Sequence, residues 1–146
     1  KLFGVVAQIL IGHTYCPVRL MSGNSKGVVF VHIHNLYLDE NGESKFGDIE
    51  IEWVQETPSG KLSERLPATG IIFRQVQPDY ELDWHPAPRR QYIVNLDAGV
   101  EITACDGESR IIGAGEVILV EDITGKGHLS KAVEGKMRHC IFIPID

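Results

Sequence analysis

Cysteine is scarce in this sequence: Cys16, Cys105 and Cys140 are the whole complement, and no two of them have metal-knuckle spacing. An odd number at such spacings argues against a disulfide framework and favours a reduced, cytoplasmic setting. Buried small apolar side chains are the plainer reading of all three. No apolar run reaches the ~20 residues that a membrane-crossing helix needs, so no membrane partner is expected. Basic side chains are outnumbered, 14 against 20 acidic, for a formal net charge of −6. That balance disfavours a nucleic-acid partner, which requires a basic face. Sustained helical periodicity is missing after residue 27. A parallel α/β fold, which needs crossover helices, is thereby excluded. No repeat of solenoid length is visible.

What remains is one domain's worth of chain, 146 residues, long enough to bury a core without staples. Residues 2–12 (LFGVVAQILIG) are apolar and follow Lys1. They fit either a signal-peptide core or a buried N-terminal strand or helix turn, and residues 1–26 are left without a role. From residue 27 to 146 the sequence is a succession of short β-like runs. Residues 28–38 (VVFVHIHNLYL) are β-branched and aromatic, and Asp39-Glu40-Asn41-Gly42 supplies a turn. Residues 48–54 (DIEIEWV) alternate acidic and apolar side chains, predicting a strand with Glu50 and Glu52 on a wet face. Residues 57–67 (TPSGKLSERLP) predict a loop. Further strands are predicted over 70–76, 91–96, 100–104, 110–112, 117–120, 128–133 and 137–143, punctuated by Asp106-Gly107 and Gly113-Ala114-Gly115. Nine or ten short strands at intervals of about ten residues predict an all-β sandwich or barrel.

Two stretches resemble a known family. The run ATGIIFRQ…DWHPAPRRQYIV and the later VEDITGKGH are similar to the two motifs of small single-domain bacterial-type cupins. The likeness reaches over about residues 28–144. It implies a cupin-like double-stranded β-helix, a jelly-roll barrel of six to eight strands. In such barrels the first motif offers His-any-His and a glutamate, and the second a further histidine, all to one metal ion. Carried onto this chain, the first histidine is His85, the second falls on Ala87, the glutamate on Gln91, and the second-motif histidine is His128. The second-motif turn is longer than usual and lacks its proline. The resemblance therefore implies at most a degenerate site of His85, Gln91 and His128 for a divalent ion such as Zn, Fe, Ni or Mn. Imidazole suits each of these metals, but an amide brings no negative charge. Asp83, Glu121 or Asp122 could add a carboxylate.

The residues themselves widen the choice. His85 sits in Trp84-His85-Pro86-Ala87-Pro88, where each proline keeps its predecessor out of the helical region. That stiff run suits a pocket rim, with Trp84 as an apolar wall, or simply a rigid loop. Gln91, Ile93 and Asn95 share one strand face, and Tyr92, Val94 and Leu96 the other. Placed inside a barrel, the two amides need a ligand, a water or each other as partner. His128 follows Gly125-Lys126-Gly127 and, with an ordinary pKa near 6.5, suits proton transfer without a metal. It could pair with His85, Glu121 or Asp122. Arg90 could hold a carboxylate or phosphate, or lie solvated at the edge, and Arg74 could face a pocket or water. His32-Ile33-His34 has the spacing of a chelating pair, yet no carboxylate stands at a suitable distance in the sequence. The two are read as edge or interface histidines. His13 and His139 give no signal.

Two functions remain open. One is a small-molecule binding module. The other is a metal-dependent enzyme (oxygenase, isomerase or lyase) in which His85 and His128 serve as catalytic or ligating residues while Trp84, Gln91, Asn95 and Arg90 contact the ligand. Fold alone does not choose between them. A homodimer is expected, with the apolar run 28–38 as an exposed edge strand that a second copy would cover.

Overall fold

The computed structural model describes residues 31–146. Residues 1–26, with His13, Cys16 and the apolar stretch 2–12, lie outside the described residues, as do residues 28–30 of the first expected strand. The described chain is all β, with twelve strands and no helix: β1 (His32–Leu38), β2 (Ser44–Glu50), β3 (Trp53–Thr57), β4 (Gly60–Ser63), β5 (Ile72–Val76), β6 (Glu81–His85), β7 (Gln91–Asn95), β8 (Val100–Thr103), β9 (Ser109–Ile112), β10 (Val117–Val120), β11 (His128–Ala132) and β12 (Arg138–Pro144). Among the described residues, therefore, no helix is long and apolar enough to cross a membrane.

Two sheets face each other as a jelly roll. The larger runs β2-β1-β10-β7-β12-β5 and the smaller β6-β11-β8-β9, while β3 and β4 form a separate hairpin. Every pairing is antiparallel except that of β1 with β10. Period-two alternation explains the core. On β8, Val100 and Ile102 point inward while Glu101 and Thr103 face out, and Ala104 continues the inward row. These residues pack with Leu36, Phe46, Ile118 and Val120 from the facing sheet and with Ile112 from the neighbouring strand. Burial of these side chains supplies the main driving force, at about 25 cal/mol per Å² of apolar surface.

Three expectations need correction. β1 is not an edge strand, because β2 and β10 take its two sides. One open edge with apolar side chains is β5, where Phe73 is 73% exposed. The run 57–67 is not all loop: Pro58-Ser59 turns the chain back so that Thr57 pairs with Gly60 and β4 forms. The hydroxyl of Thr57 donates to the Gly60 carbonyl at 2.9 Å, closing that turn. The strand expected over 48–54 breaks after Glu50, and Trp53 starts the separate hairpin.

One crossing positions the later site. β11 pairs with β6 so that His128 stands opposite His85. The preceding residue, Gly127, has φ +74° and passes so close to β6 that a Cβ there would lie 1.9 Å from the His85 carbonyl oxygen. Only glycine accepts both the left-handed backbone and that contact. The Gly127 carbonyl accepts hydrogen bonds from the Ser44 hydroxyl at 2.7 Å and from the Cys105 thiol at 3.2 Å. The Gly127→Ala variant is expected to lose about 4 kcal/mol or more, because backbone rather than a flexible side chain must move. Gly135 also has positive φ, but nothing lies within 4 Å of the place a methyl would take. Gly135→Ala should therefore lose only about 1 kcal/mol. Urea denaturation of the two variants checks the contrast, and equal losses would contradict it.

Candidate functional site

Between the two sheets lies a small cavity of about 70 Å³. Arg74 and Phe142 come from β5 and β12, and Gln91 and Ile93 from β7. The smaller sheet contributes His85, Val100, Ile102, His128 and Ser130. Tyr80, Ala87, Val120 and Arg138 complete most of the wall. This volume is well below that of a drug-sized pocket and suits a ligand of a few heavy atoms or a short file of waters. A wider groove of about 380 Å³ crosses the outer face of the smaller sheet over Leu82, Glu101, Thr103 and Leu129. It is open, and its charged rim is already solvated.

His85 and His128 meet in the cavity, with ring centroids 4.4 Å apart and planes tilted by 56°. Each has its Nδ1 committed. His85 Nδ1 lies 2.7 Å from the Asp83 carbonyl oxygen, which can only accept, so Nδ1 carries the proton. His128 Nδ1 lies 2.6 Å from Asp122 Oδ2. A carboxylate there also fixes the proton on Nδ1 and leaves Nε2 as the working atom. Burial, opposed by the Asp83 carbonyl and helped by the neighbouring His128, lowers the pKa of His85 below its ordinary value. A neutral His85 presents a lone pair at Nε2. Asp122 is completely buried, and its Oδ1 has no hydrogen-bond partner among the described residues. Its position is secured through its own backbone, whose carbonyl accepts from Ala87 N–H at 3.0 Å.

The remaining expected site residues divide. Gln91 lines the cavity, is 2% exposed, and its amide makes no hydrogen bond to a described residue. Asn95 is buried two steps further along the same face, beyond Ile93. Its Nδ2 donates to the Ile112 carbonyl at 2.7 Å and its Oδ1 accepts from Arg138 Nη1 at 2.7 Å. It therefore positions Arg138 and is not among the cavity-lining residues. Arg90 lies away from the cavity, donating to Glu121 Oε1 through Nη2 at 2.6 Å and to Asp146 Oδ1 through Nη1 at 3.3 Å. Glu121 also accepts from Asn35 Nδ2 at 2.9 Å, so Asp122 is the carboxylate that His128 finds. Trp84 is not among the cavity-lining residues; the Lys126 ammonium lies 3.6 Å above its ring centroid, a cation–π contact that ties the glycine turn to β6.

No protein-family model and no curated protein matches this sequence. Solved structures do show likenesses. One is the conserved protein SPY1581 of unknown function from Streptococcus pyogenes, at 19% identity and a TM-score of 0.39 over 58% of this chain and 69% of that one. Another is protein NMB1881 from Neisseria meningitidis, at 18% identity and a TM-score of 0.41 over 65% of this chain and 86% of the other. A third, named as an ethanolamine utilization protein Q from Salmonella typhimurium, is 10% identical with a TM-score of 0.35 over 82% of this chain and all of that one. At such identities and scores these likenesses carry no function to the present chain.

A second cluster, which the sequence argues against, is assembled by strand pairing. His32, His34 and Asp48 bring one potential ligand atom each to within 4.8 Å of one another. The missing carboxylate arrives because β2 pairs with β1 so that Asp48 faces His34. That register is legible in principle: a three-residue turn over Glu40-Asn41-Gly42, with Gly42 at positive φ, pairs Asp39 with Glu43 and so sets His34 opposite Asp48. The cluster already contains a cation. Arg110 Nη1 lies 2.6 Å from Asp48 Oδ1 and 3.4 Å from His34 Nδ1. Burial of Arg110 disfavours its charge, but its bonds to Asp48 and Glu108 outweigh that and raise its pKa.

The Asp122–His128 contact gives a direct test. In the wild type, nitrogen NMR of the imidazole should report a protonated Nδ1 at His128. The Asp122→Asn variant can donate instead of accept, so the Nε2–H tautomer should become populated, with a stability loss of about 1–3 kcal/mol from the weakened buried contact. An unchanged tautomer would show that Asp122 does not set it.

Proposed function

We propose that the jelly-roll cavity binds a small polar molecule, held between the Nε2 atoms of His85 and His128 on one side and Gln91 on another. The observation that carries this reading is Gln91: the residue is 2% exposed, its amide makes no hydrogen bond to a described residue, and unlike Asp122 Oδ1 that amide is not sealed from solvent, so it opens onto the cavity beside His85 and His128. An amide facing a narrow polar cavity finds its hydrogen-bond partner in a bound molecule or water. His85 and His128 then stand beside the ligand as a proton acceptor and an Asp122-oriented imidazole, a pair capable of general acid–base work. The likeness to small cupins stands behind this proposal through the same two histidines.

Metal-assisted catalysis is the second reading, favoured by one feature: histidines that ligate metals characteristically donate Nδ1–H to a carbonyl or carboxylate, as both do here. His85 Nε2 and His128 Nε2 would hold a divalent ion, with Gln91 as a neutral oxygen ligand, and the ion would polarise a bound oxygen. The fit is incomplete. The donor set has no negative charge, since Asp122 is spent on His128. Among the described residues the three-ligand grouping is instead His32, His34 and Asp48. A homodimer is also proposed, joined through edge strand β5, where Ile72 and Phe73 are exposed.

A fragment screen by amide NMR should find small polar molecules that shift resonances of Ile93, Ile102 and Ser130. Those shifts should vanish in Ile102→Phe, which fills the cavity. Hits that all map to the outer groove over Leu82 and Leu129 would overturn the reading. Elemental mass spectrometry of untagged protein should find any metal lost in His32→Ala/His34→Ala and unaffected in His85→Ala/His128→Ala. Near-stoichiometric metal lost only in the second double variant would establish the metal reading instead.

A further inference from the structure

Arg138 is the most deeply buried cationic side chain among the described residues, 4% exposed and lining the cavity. Its one side-chain hydrogen bond goes to a neutral acceptor, Asn95 Oδ1, at 2.7 Å. It forms no ion pair with a described carboxylate. Arg74 stands diagonally across the β5–β12 pair on the same inward face. Its Cζ lies 5.5 Å from the Tyr80 ring centroid and 5.3 Å from that of Phe142. It too forms no ion pair with a described residue. Aspartate and glutamate are absent from the cavity lining, while two guanidiniums are present. Two other arginines, by contrast, are matched: Arg90 with Glu121 and Asp146, Arg110 with Asp48 and Glu108. Burial pulls the pKa of Arg138 downward and nearby Arg74 adds to this, while Cys140, Tyr80 and Asp97 oppose it.

A buried cation without an anion destabilises the fold unless a counter-charge is supplied. The planar fork of a guanidinium matches a carboxylate and makes short charge-assisted bonds to it. Asn95 aligns one edge of the Arg138 fork and leaves the rest without a protein acceptor. The cavity therefore has a built cationic end, a neutral amide in Gln91 and an imidazole end at His85 and His128.

We infer that the ligand of this cavity is a small organic anion, its carboxylate seated on Arg138 and Arg74 and a carbonyl or hydroxyl reaching Gln91. This rests on the cavity being the binding site and adds the ligand's chemical class. The cavity volume of about 70 Å³ confines the ligand to a short carbon chain. Its apolar part would lie against Ile93, Ile102 and Phe142. Tyr80, whose hydroxyl is 2.7 Å from Ser130 Oγ, is a further polar group on the wall.

The test is calorimetric and NMR titration of the full chain with glycolate, lactate, pyruvate, malonate and succinate. Lactamide and malonamide serve as neutral isosteres and inorganic phosphate as a second anion. At least one carboxylate should bind about tenfold or more tighter than its amide. Arg138→Gln, which keeps a donor for Asn95, should weaken it about thirtyfold or more, and Arg138→Lys less than that. Arg74 is exposed, so Arg74→Gln should fold normally and weaken binding about tenfold. Phosphate binding that outlasts all carboxylate binding would overturn the carboxylate assignment. Amides that bind the cavity as well as acids, sensitive to Ile102→Phe but indifferent to both arginine variants, would overturn the inference while leaving the cavity as the site. If neither acids nor amides nor the fragment screen reach the cavity, the functional reading fails and this inference fails with it.

Discussion

The close passage of Gly127 over the His85 carbonyl is the constraint on which the site depends. Without a side chain at 127, β11 lies against β6 and His128 comes to rest beside His85. With one, the two strands must part and the imidazole pair opens. Four other contacts hold that passage in place. Ser44 and Cys105 bond to the Gly127 carbonyl, Lys126 covers Trp84, and Gly125 abuts the β1–β2 turn, where an added Cβ would meet the Gly42 carbonyl at 2.8 Å. The Gly-Lys-Gly turn is thus a packed joint between the two sheets.

Electrostatics separates the molecule into two unlike regions. At the β1–β2 end, His32, His34, Asp48, Arg110 and Glu116 are joined by hydrogen bonds in a continuous network. Each carboxylate and the guanidinium in it has a protein partner. At the β5–β12 end the charges do not close: two arginines face a cavity with no acidic wall, and the buried Asp122 answers to His128 alone. A protein that buries a cation without a counter-ion loses stability, and the arrangement is intelligible where something else brings the negative charge.

Most of the strand pattern is plain in the sequence because period-two alternation survives into the core rows Val100-Ile102-Ala104 and Gln91-Ile93-Asn95, but β6 (Glu81–His85) is not among the expected strands. His85 and His128 are reachable from motif likeness, and Asp122 is one of two adjacent candidates. Choosing Asp122 over Glu121 requires knowing that Arg90 and Asn35 occupy Glu121. Arg138 is invisible at that level, because an arginine in a β-run reads as an outward charge unless the register of its strand is known. The His32–His34–Asp48 cluster escapes for a related reason: cross-strand neighbours are distant in sequence and meet only once the hairpin register is fixed. Trp84 and Arg90 resemble pocket residues by position in the motif, yet their nearest charges, Lys126 and Glu121, engage them outside the cavity.

The most direct measurement is a high-resolution crystal structure of the protein grown in a low-salt, acetate-free medium with malonate added. The expected result is planar density in the cavity against the Arg138 guanidinium, within hydrogen-bond distance of Gln91, with His85 and His128 side by side beyond it. Arg138 turned away into an ion pair with a protein carboxylate such as Asp97, over a cavity holding only water, would contradict the account.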